Sequence, residues 1–410
     1  MNTDKLNFTV PSKARLFSFA LMAIGLLSII LMFLTDHVDG DVEYHHTRAW
    51  SNVFAGSFFF MALSLAAAFF LGMQYAAEAG WSTTIKRVIE AVTMYLPWGL
   101  SFMMLLFILG QMHVHHIYHW MADGIATPGH ENYDAVIAAK IGYFGVFWWV
   151  RTILYMVGWY WFTMKLRKNS LEADKLEVDI NNSYHWKNIK IGAWFMVLFA
   201  VTSSTSSWDW LMSIDTHWFS TLFGWYIFSG MWISALTAIT ILIIWLKKIG
   251  YMEFVTESTI HDMGKWMFAI SFLWTYLYFS QFMLIWYADI PEEVIYFQTR
   301  WESYKALMWT VFFVNFAFPM IMLMSRDSKR NFFFLMFVGT IIFIGHYLDV
   351  IMIIMPGTVG HHWTGLSWME FGTFFFFLGV FIYVVLNALA KAPLLVKNHP
   401  FLEESLHHST

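Results

Sequence analysis

His346 and Asp349 stand three residues apart in a long apolar run, so on a helix they share one face. An imidazole beside a carboxylate suits proton transfer, because imidazole titrates near neutrality and the carboxylate can orient it. The same pair could grip a quinone carbonyl, or simply hold two helices together as a buried polar contact. Arg151, Lys305 and Glu370 also fall within apolar runs. A charge at membrane depth costs about 2.5–3.5 kcal/mol on insertion scales, so each needs a partner or a task. Lys305 lies near a predicted interface, where a long side chain can snorkel. Asp209 and Asp215 flank the end of another run. His346, Asp349, Arg151 and Asp209 are the candidates for a cluster that binds quinone or relays protons. The segment HVHHIYHW, 113–120, sets His115 and His119 four apart, a spacing that can chelate a metal on one helix face. No HExxH-type context accompanies it, so a partner-facing loop is the favoured reading and no metal site is expected. His115, His119, Asp215, His217 and Asp289 are the candidates for partner docking.

The elements that must carry these residues follow from composition. The chain has 410 residues, of which 13% are charged, 59% hydrophobic and 20% aromatic. An ordinary soluble domain is about one-quarter charged. A polytopic, all-α membrane protein is expected, forming a single integral membrane domain over 1–410. A span needs about 20 apolar residues. Ten candidates lie near 15–34, 52–73, 91–112, 138–163, 189–212, 220–246, 265–288, 303–325, 331–354 and 367–390. Pro97 and Pro319 fall inside two of them, where kinks are expected. The N-terminal apolar run is too long for a cleavable signal, and no cleavage site follows it.

Charge placement sets the expected orientation. Lys and Arg crowd the segment before the first span, the stretches 74–90, 164–190, 247–265 and 326–330, and the tail. The intervening loops hold only Arg48 and Arg300. By the positive-inside rule both termini are then cytoplasmic. The outer face carries His37, His45, His46, His113, His115, His116, His119, His130, His217, His361 and His362, together with acids such as Asp39, Asp41, Glu43 and Asp134.

Several functions are excluded or made remote. The chain has no cysteine, which removes iron–sulfur ligation, c-type haem attachment and thiol nucleophiles. Only His346 is well inside a span, too few for a bis-histidine haem or a haem–copper core. No Walker motif occurs. A net charge of −4 gives no nucleic-acid footprint. The hydroxylic run Thr202–Ser207 could bond across helices, line a water path or bind a head group.

Four strings carry a resemblance. WDWLMSIDTHWFSTLFGW (208–225), FSQFMLIWYADIPEE (279–293), HYLDVIMIIMP (346–356) and HHIYHW (115–120) occur in order along the chain. Together they resemble the F-subunit family of bacterial alternative complex III, NrfD-like (polysulfide-reductase-C-like) membrane proteins. The resemblance implies two four-helix bundles, spans two to five (about 52–212) and six to nine (about 220–354). Spans one and ten would be peripheral. It implies a multi-pass subunit of the bacterial inner membrane, in a respiratory complex that oxidises menaquinol or ubiquinol. The implied partners are a homologous NrfD-like subunit, a periplasmic iron–sulfur subunit, c-type cytochrome subunits carrying haem c, and a terminal oxidase. Surrounding lipids are implied as well. LGQMHVHH (109–116) stands where quinol-reactive members carry an LGRP-like turn. Asp349–Val350 stands where the sister C subunit is expected to hold a Glu–Arg pair. The quinol site is therefore expected in the sister, and this chain as a structural and proton-conducting half. Two rival readings stay open: a non-catalytic assembly scaffold, and a secondary transporter built around broken helices.

Overall fold

The computed structural model describes residues 6–36 and 46–409. His37, His45, Asp39, Asp41 and Glu43, counted above on the outer face, lie outside them. Among the described residues every regular element is helical. The long helices are α1 (Ser12–Thr35), α2 (Thr47–Ala76), α3 (Lys86–Thr93) with α4 (Leu96–Gln111), α6 (Val146–Lys175), α7 (Ser183–Trp210), α8 (Phe223–Lys248), α9 (Glu257–Ala288), α14 (Phe332–Thr358) and α15 (Trp368–Leu389). Shorter pieces are α5 (Ala135–Lys140), α10 (Pro291–Ser303), α11 (Lys305–Phe312), α12 (Phe318–Met322), α13 (Arg326–Arg330) and α16 (Leu402–Leu406). Nine helical stretches among the described residues are long and apolar enough to cross a membrane.

The segment 138–163 departs from the expectation. A short helix, α5, occupies Ala135–Lys140, and the long helix starts only at Val146. Gly145, at φ +66, makes the turn between them; glycine has no Cβ to oppose that conformation. α6 is the long helix missing from the nine. Its apolar half mixes four Trp and two Tyr with Val, Phe, Ile, Leu and Met around Arg151, and its second half carries a run of charges from Lys165 onward.

The two expected proline kinks are also resolved differently. The chain turns at Met94 and Tyr95, and Pro97 sits in the first turn of α4. There its missing N–H costs no intrahelical bond. Pro319 likewise opens α12, directly after a π-helical turn at Phe313–Ala317. The Asn315 side chain from that turn donates to the carbonyl of Gly345, 3.1 Å away. A Cβ at Gly345 would lie 2.2 Å from the Asn315 oxygen, so glycine is required for this close approach.

Packing is organised around α2, whose residues are nearly all buried. It touches α3, α4, α7, α8, α14 and α15. α6 lies on α7, and α8 packs against both α9 and α14. α1 runs along α15 with little else beneath it. Small residues make that contact close: Cβ atoms built at Gly25 and Gly372 would meet Phe376 and Ser28 at 2.3 Å. Backbones that approach this far gain dispersion contacts lipid cannot supply. The opposite side of α1, with Leu16, Phe17, Ile24, Leu27 and Leu34, is exposed, as a lipid-facing side would be.

Beyond α15 the chain does not trail away. The Leu394 amide donates to Leu6 O (2.8 Å), and the Lys397 amide to Asp174 Oδ1 (2.9 Å). Ser405 Oγ donates to Trp81 O (2.9 Å), and His408 Nε2 lies 2.6 Å from Asp262 Oδ2. This tail thus straps the Lys-rich ends of α2, α6 and α9 together.

Candidate functional site

α14 carries His346 and Asp349 on one face, as their spacing requires, and both are buried. Asp349 is held firmly. Its Oδ1 accepts from the Tyr226 hydroxyl of α8, and its Oδ2 from Trp274 Nε1 of α9 at 3.0 Å. His346 is not held in that way. Its Nδ1 lies 3.9 Å from Asp349 Oδ2, and neither ring nitrogen has a hydrogen-bond partner among the described residues. The edge of the imidazole meets the Trp274 ring at 5.3 Å between centroids. Both side chains border a cavity of about 20 Å3, lined also by Phe58, Phe59, Ile227, Met231 and Ser234. That volume admits one water molecule, given polar groups to bind it. It is far too small for a quinone ring. The chemistry available here is exchange of a proton between an orientable imidazole, a carboxylate and a single water.

Arg151 and Asp209 form a second centre that shares no hydrogen-bond partner with the first. Arg151 Nε and Nη2 reach the two Asp209 oxygens at 2.8 and 2.7 Å, a two-pronged pair joining α6 to α7. The Tyr155 hydroxyl donates to Asp209 Oδ2 (2.9 Å), and Trp148 Nε1 donates to the Asp209 carbonyl (2.9 Å). Tyr143 and Phe147 cover the guanidinium at 3.9 and 4.3 Å. Both Asp209 oxygens are matched and the guanidinium is held at Nε and Nη2, while its Nη1 has no hydrogen-bond partner among the described residues, so the pair reads as an inter-helix tie. The four candidates for one polar cluster are thus brought together as two pairs. The hydroxylic run 202–207 is mostly turned back on its own helix: Ser207 Oγ, for instance, donates to Ser203 O at 2.7 Å. Thr202 also reaches across, donating back to Leu198 O at 2.8 Å while accepting Trp159 Nε1 at 2.9 Å. Glu370 is paired too, with Arg48 at 2.9 Å. Lys305 is exposed, its ammonium 5.0 Å from the Trp301 ring.

The docking candidates divide by exposure. His119, His217 and Asp289 are exposed, and Asp215 is half-buried. His115 is buried: its Nε2 bonds Leu106 O at 2.9 Å, and its ring packs on Trp50. Burial, opposed in part by that bond, lowers the His115 pKa below the usual imidazole value. The premise of a helical His115/His119 pair also fails, since 112–118 is a turn and the two rings have different environments. Among the described residues no group of three or more His, Asp or Glu side chains is arranged to hold a metal. His217 Nε2 meets Asp134 Oδ2 at 2.8 Å. Burial pushes the Asp134 carboxyl up, but the Ile137 amide, His217 and the Val136 amide outweigh it and set the value low. Asp215 goes the other way: burial raises its pKa, and Arg300 and His217 oppose this only in part.

A buried polar centre at the Lys-rich end went unread in the sequence. Lys86 and Arg87 look like loop cations, yet both are buried at the start of α3. Arg87 reaches Glu90 at 2.5 Å and also binds Asp174 and Ser170 Oγ. Arg167 donates to Glu90 O (2.9 Å) and Ala388 O (2.7 Å). The Arg–Glu spacing of three in KRVIE was the available signal, and it marks a helix face rather than a loop.

The strap closes over this centre with His399, whose ring packs between Tyr75 and His185. Burial, then the neighbouring charges of Lys86, His185 and Arg87, push the His399 pKa down to about 2. A released tail binds a proton near the ordinary imidazole value of about 6.5, whereas the docked tail does not. The released form therefore holds more protons below that pH, and strap stability falls as pH drops from about 6.5 towards the folded value. Protection factors across 394–402, with the intrinsic pH dependence of exchange divided out, are expected to fall by about tenfold or more between pH 7.5 and pH 5. His399→Phe should remove much of that pH response, His185 beneath the strap, whose pKa burial and Lys86 lower to about 4, carrying the rest.

Compared with models of known protein families and with curated protein sequences, the chain matches none.

Proposed function

We propose that this chain is an integral membrane subunit of a respiratory quinol:cytochrome c, or quinol:oxidase, oxidoreductase of the kind represented by the F subunit of bacterial alternative complex III. In this reading it crosses the bacterial inner membrane ten times, α6 serving as the fourth span beside the nine other helical stretches, with both termini in the cytoplasm. It sits beside a homologous NrfD-like subunit that binds menaquinol or ubiquinol. A periplasmic iron–sulfur subunit and c-type cytochromes carry the electrons onward. This chain supports quinol oxidation by moving protons.

The observation that carries the reading is the unpartnered, buried imidazole of His346 beside a carboxylate whose two oxygens are already occupied. A purely structural histidine would be expected to use its ring nitrogens for hydrogen bonds. The adjoining cavity has room for one water and none for a quinone, which favours a relay at this place over a quinone site. The four resembling strings supply the respiratory setting.

The test is what travels with the chain from mild detergent. Companion haem and iron–sulfur subunits with quinol:cytochrome c activity are the expected result. An isolated chain, active alone in solute uptake, would overturn the reading in favour of a transporter. A scaffold role is separated by outer-face variants: Asp215→Ala with His217→Ala would then break assembly, while His346 variants would leave turnover intact.

A further inference from the structure

A cavity of about 610 Å3 opens at the Lys-rich end, between α6 and the chain leaving α15. That volume falls within the range of small-molecule sites, about 300–1,000 Å3. Met94, Met164 and Leu171 line it with apolar surface, and Arg167, Lys168 and Lys391 with cations. The acids at its rim are already engaged: Glu172 pairs with Lys175 at 2.8 Å, and Asp174 with Arg87. Lys168 and Lys391 have no carboxylate within ion-pair distance among the described residues, and both are exposed. The cavity therefore presents uncompensated positive charge.

One face of α6 gives that charge an orientation. Val157, Trp161, Met164, Lys168 and Leu171 recur at spacings of three and four, so they form a single stripe. Val157 and Trp161, towards the helix middle, are 59% and 51% exposed. The stripe is thus apolar along the span and cationic where the span ends. This is the profile of a lipid that enters chains first and leaves an anionic group at the helix end.

We propose that this cavity binds the phosphate headgroup of an anionic phospholipid, with Lys168 and Lys391 on the phosphate and an acyl chain along Trp161 and Val157. The bound lipid would pin the start of the strap, because Lys391, Ala392 and Pro393 form one wall of the site. The inference rests on the chain being a membrane protein and needs neither a respiratory complex nor a relay at His346.

The experiment uses the full chain purified in mild detergent and titrated with phosphatidylglycerol or phosphatidylcholine, with bound lipid read by native mass spectrometry. Phosphatidylglycerol is expected to bind at least tenfold more tightly than phosphatidylcholine. Lys168→Gln with Lys391→Gln should abolish most of that preference; both side chains are exposed, and a thermal melt checks that the fold is kept. Each single variant, read in the same way, should show part of the loss. Equal binding of the two lipids, or unchanged preference in the double variant, would overturn the proposal. Displacement of phosphatidylglycerol by inorganic phosphate at millimolar concentration would also overturn it, assigning the cations to a free anion.

Discussion

Glu370→Ala is expected to remove about 3–5 kcal/mol of stability. Glu370 is fully buried in the first turn of α15. Its Oε1 accepts from Arg48 Nε (3.0 Å), Arg48 Nη2 (2.9 Å) and Asn52 (3.1 Å), all on α2. Its Oε2 accepts from the Ser367 amide (2.7 Å) and hydroxyl (2.9 Å), closing a capping box. The Glu370 carbonyl takes the Tyr347 hydroxyl of α14 at 2.7 Å. Truncation leaves a guanidinium in a poorly hydrated site and uncaps the helix together, so two penalties coincide. Glu370→Gln keeps acceptors and should lose much less. Arg48→Met with Glu370→Leu, which removes both charges, should recover a large part of the loss. Thermal or denaturant unfolding in detergent measures all three. A Glu370→Ala protein within about 1 kcal/mol of the parent would mean that the pair does not hold α2 to α15, since a surface-like pair is worth no more than that.

That pair also marks where sequence reading stops. Glu370 was recognisable as a costly charge in an apolar run, but its partner lies 322 positions away. Spacing arguments see only neighbours three or four apart. They placed His346 with Asp349 correctly, and they had no means of separating that pair from Arg151 and Asp209. Apolarity located the long helices well wherever aliphatic residues dominate. It misplaced the one rich in Trp and Tyr around Arg151, where α5 and the Gly145 turn precede a helix that starts late. Charge served orientation counting and hid burial. Lys86, Arg87, Arg167 and Lys329 read as loop or loop-edge cations, yet each is folded inwards onto carboxylates, backbone carbonyls or an aromatic face. The tail strap was illegible for a related reason: its bonds join an irregular segment to side chains and carbonyls far away in sequence, which no periodicity announces.

The second large effect belongs to His346. In an assembled, quinol-oxidising complex, His346→Ala is expected to lower turnover by about 100-fold, the lower end of what a positioned acid–base group supplies. The physical argument is positional. Asp349 cannot swing, because Tyr226 and Trp274 from two other helices fix both its oxygens. His346 can reorient, because nothing bonds its nitrogens, and together with that carboxylate it borders a cavity of one water's size. When one nitrogen accepts a proton the other can release its own, Asp349 stabilises the imidazolium between the two events, and a ring flip then restores the starting tautomer. Asp349→Asn should keep the Tyr226 and Trp274 contacts in part and still slow turnover, since an amide cannot stabilise that cation. Tyr226→Phe separates positioning from charge: it frees one oxygen of Asp349 without altering the relay groups, so a smaller loss is expected. A structural role predicts a different pattern, in which all three variants melt earlier while the surviving protein keeps the parent's pH–rate profile. A relay predicts a near-normal melt for His346→Ala, slowed turnover, and loss of the limb of the pH–rate profile that reports the imidazole. Normal turnover in an assembled His346→Ala, Asp349→Asn double variant would end the relay assignment and leave this pair as packing alone.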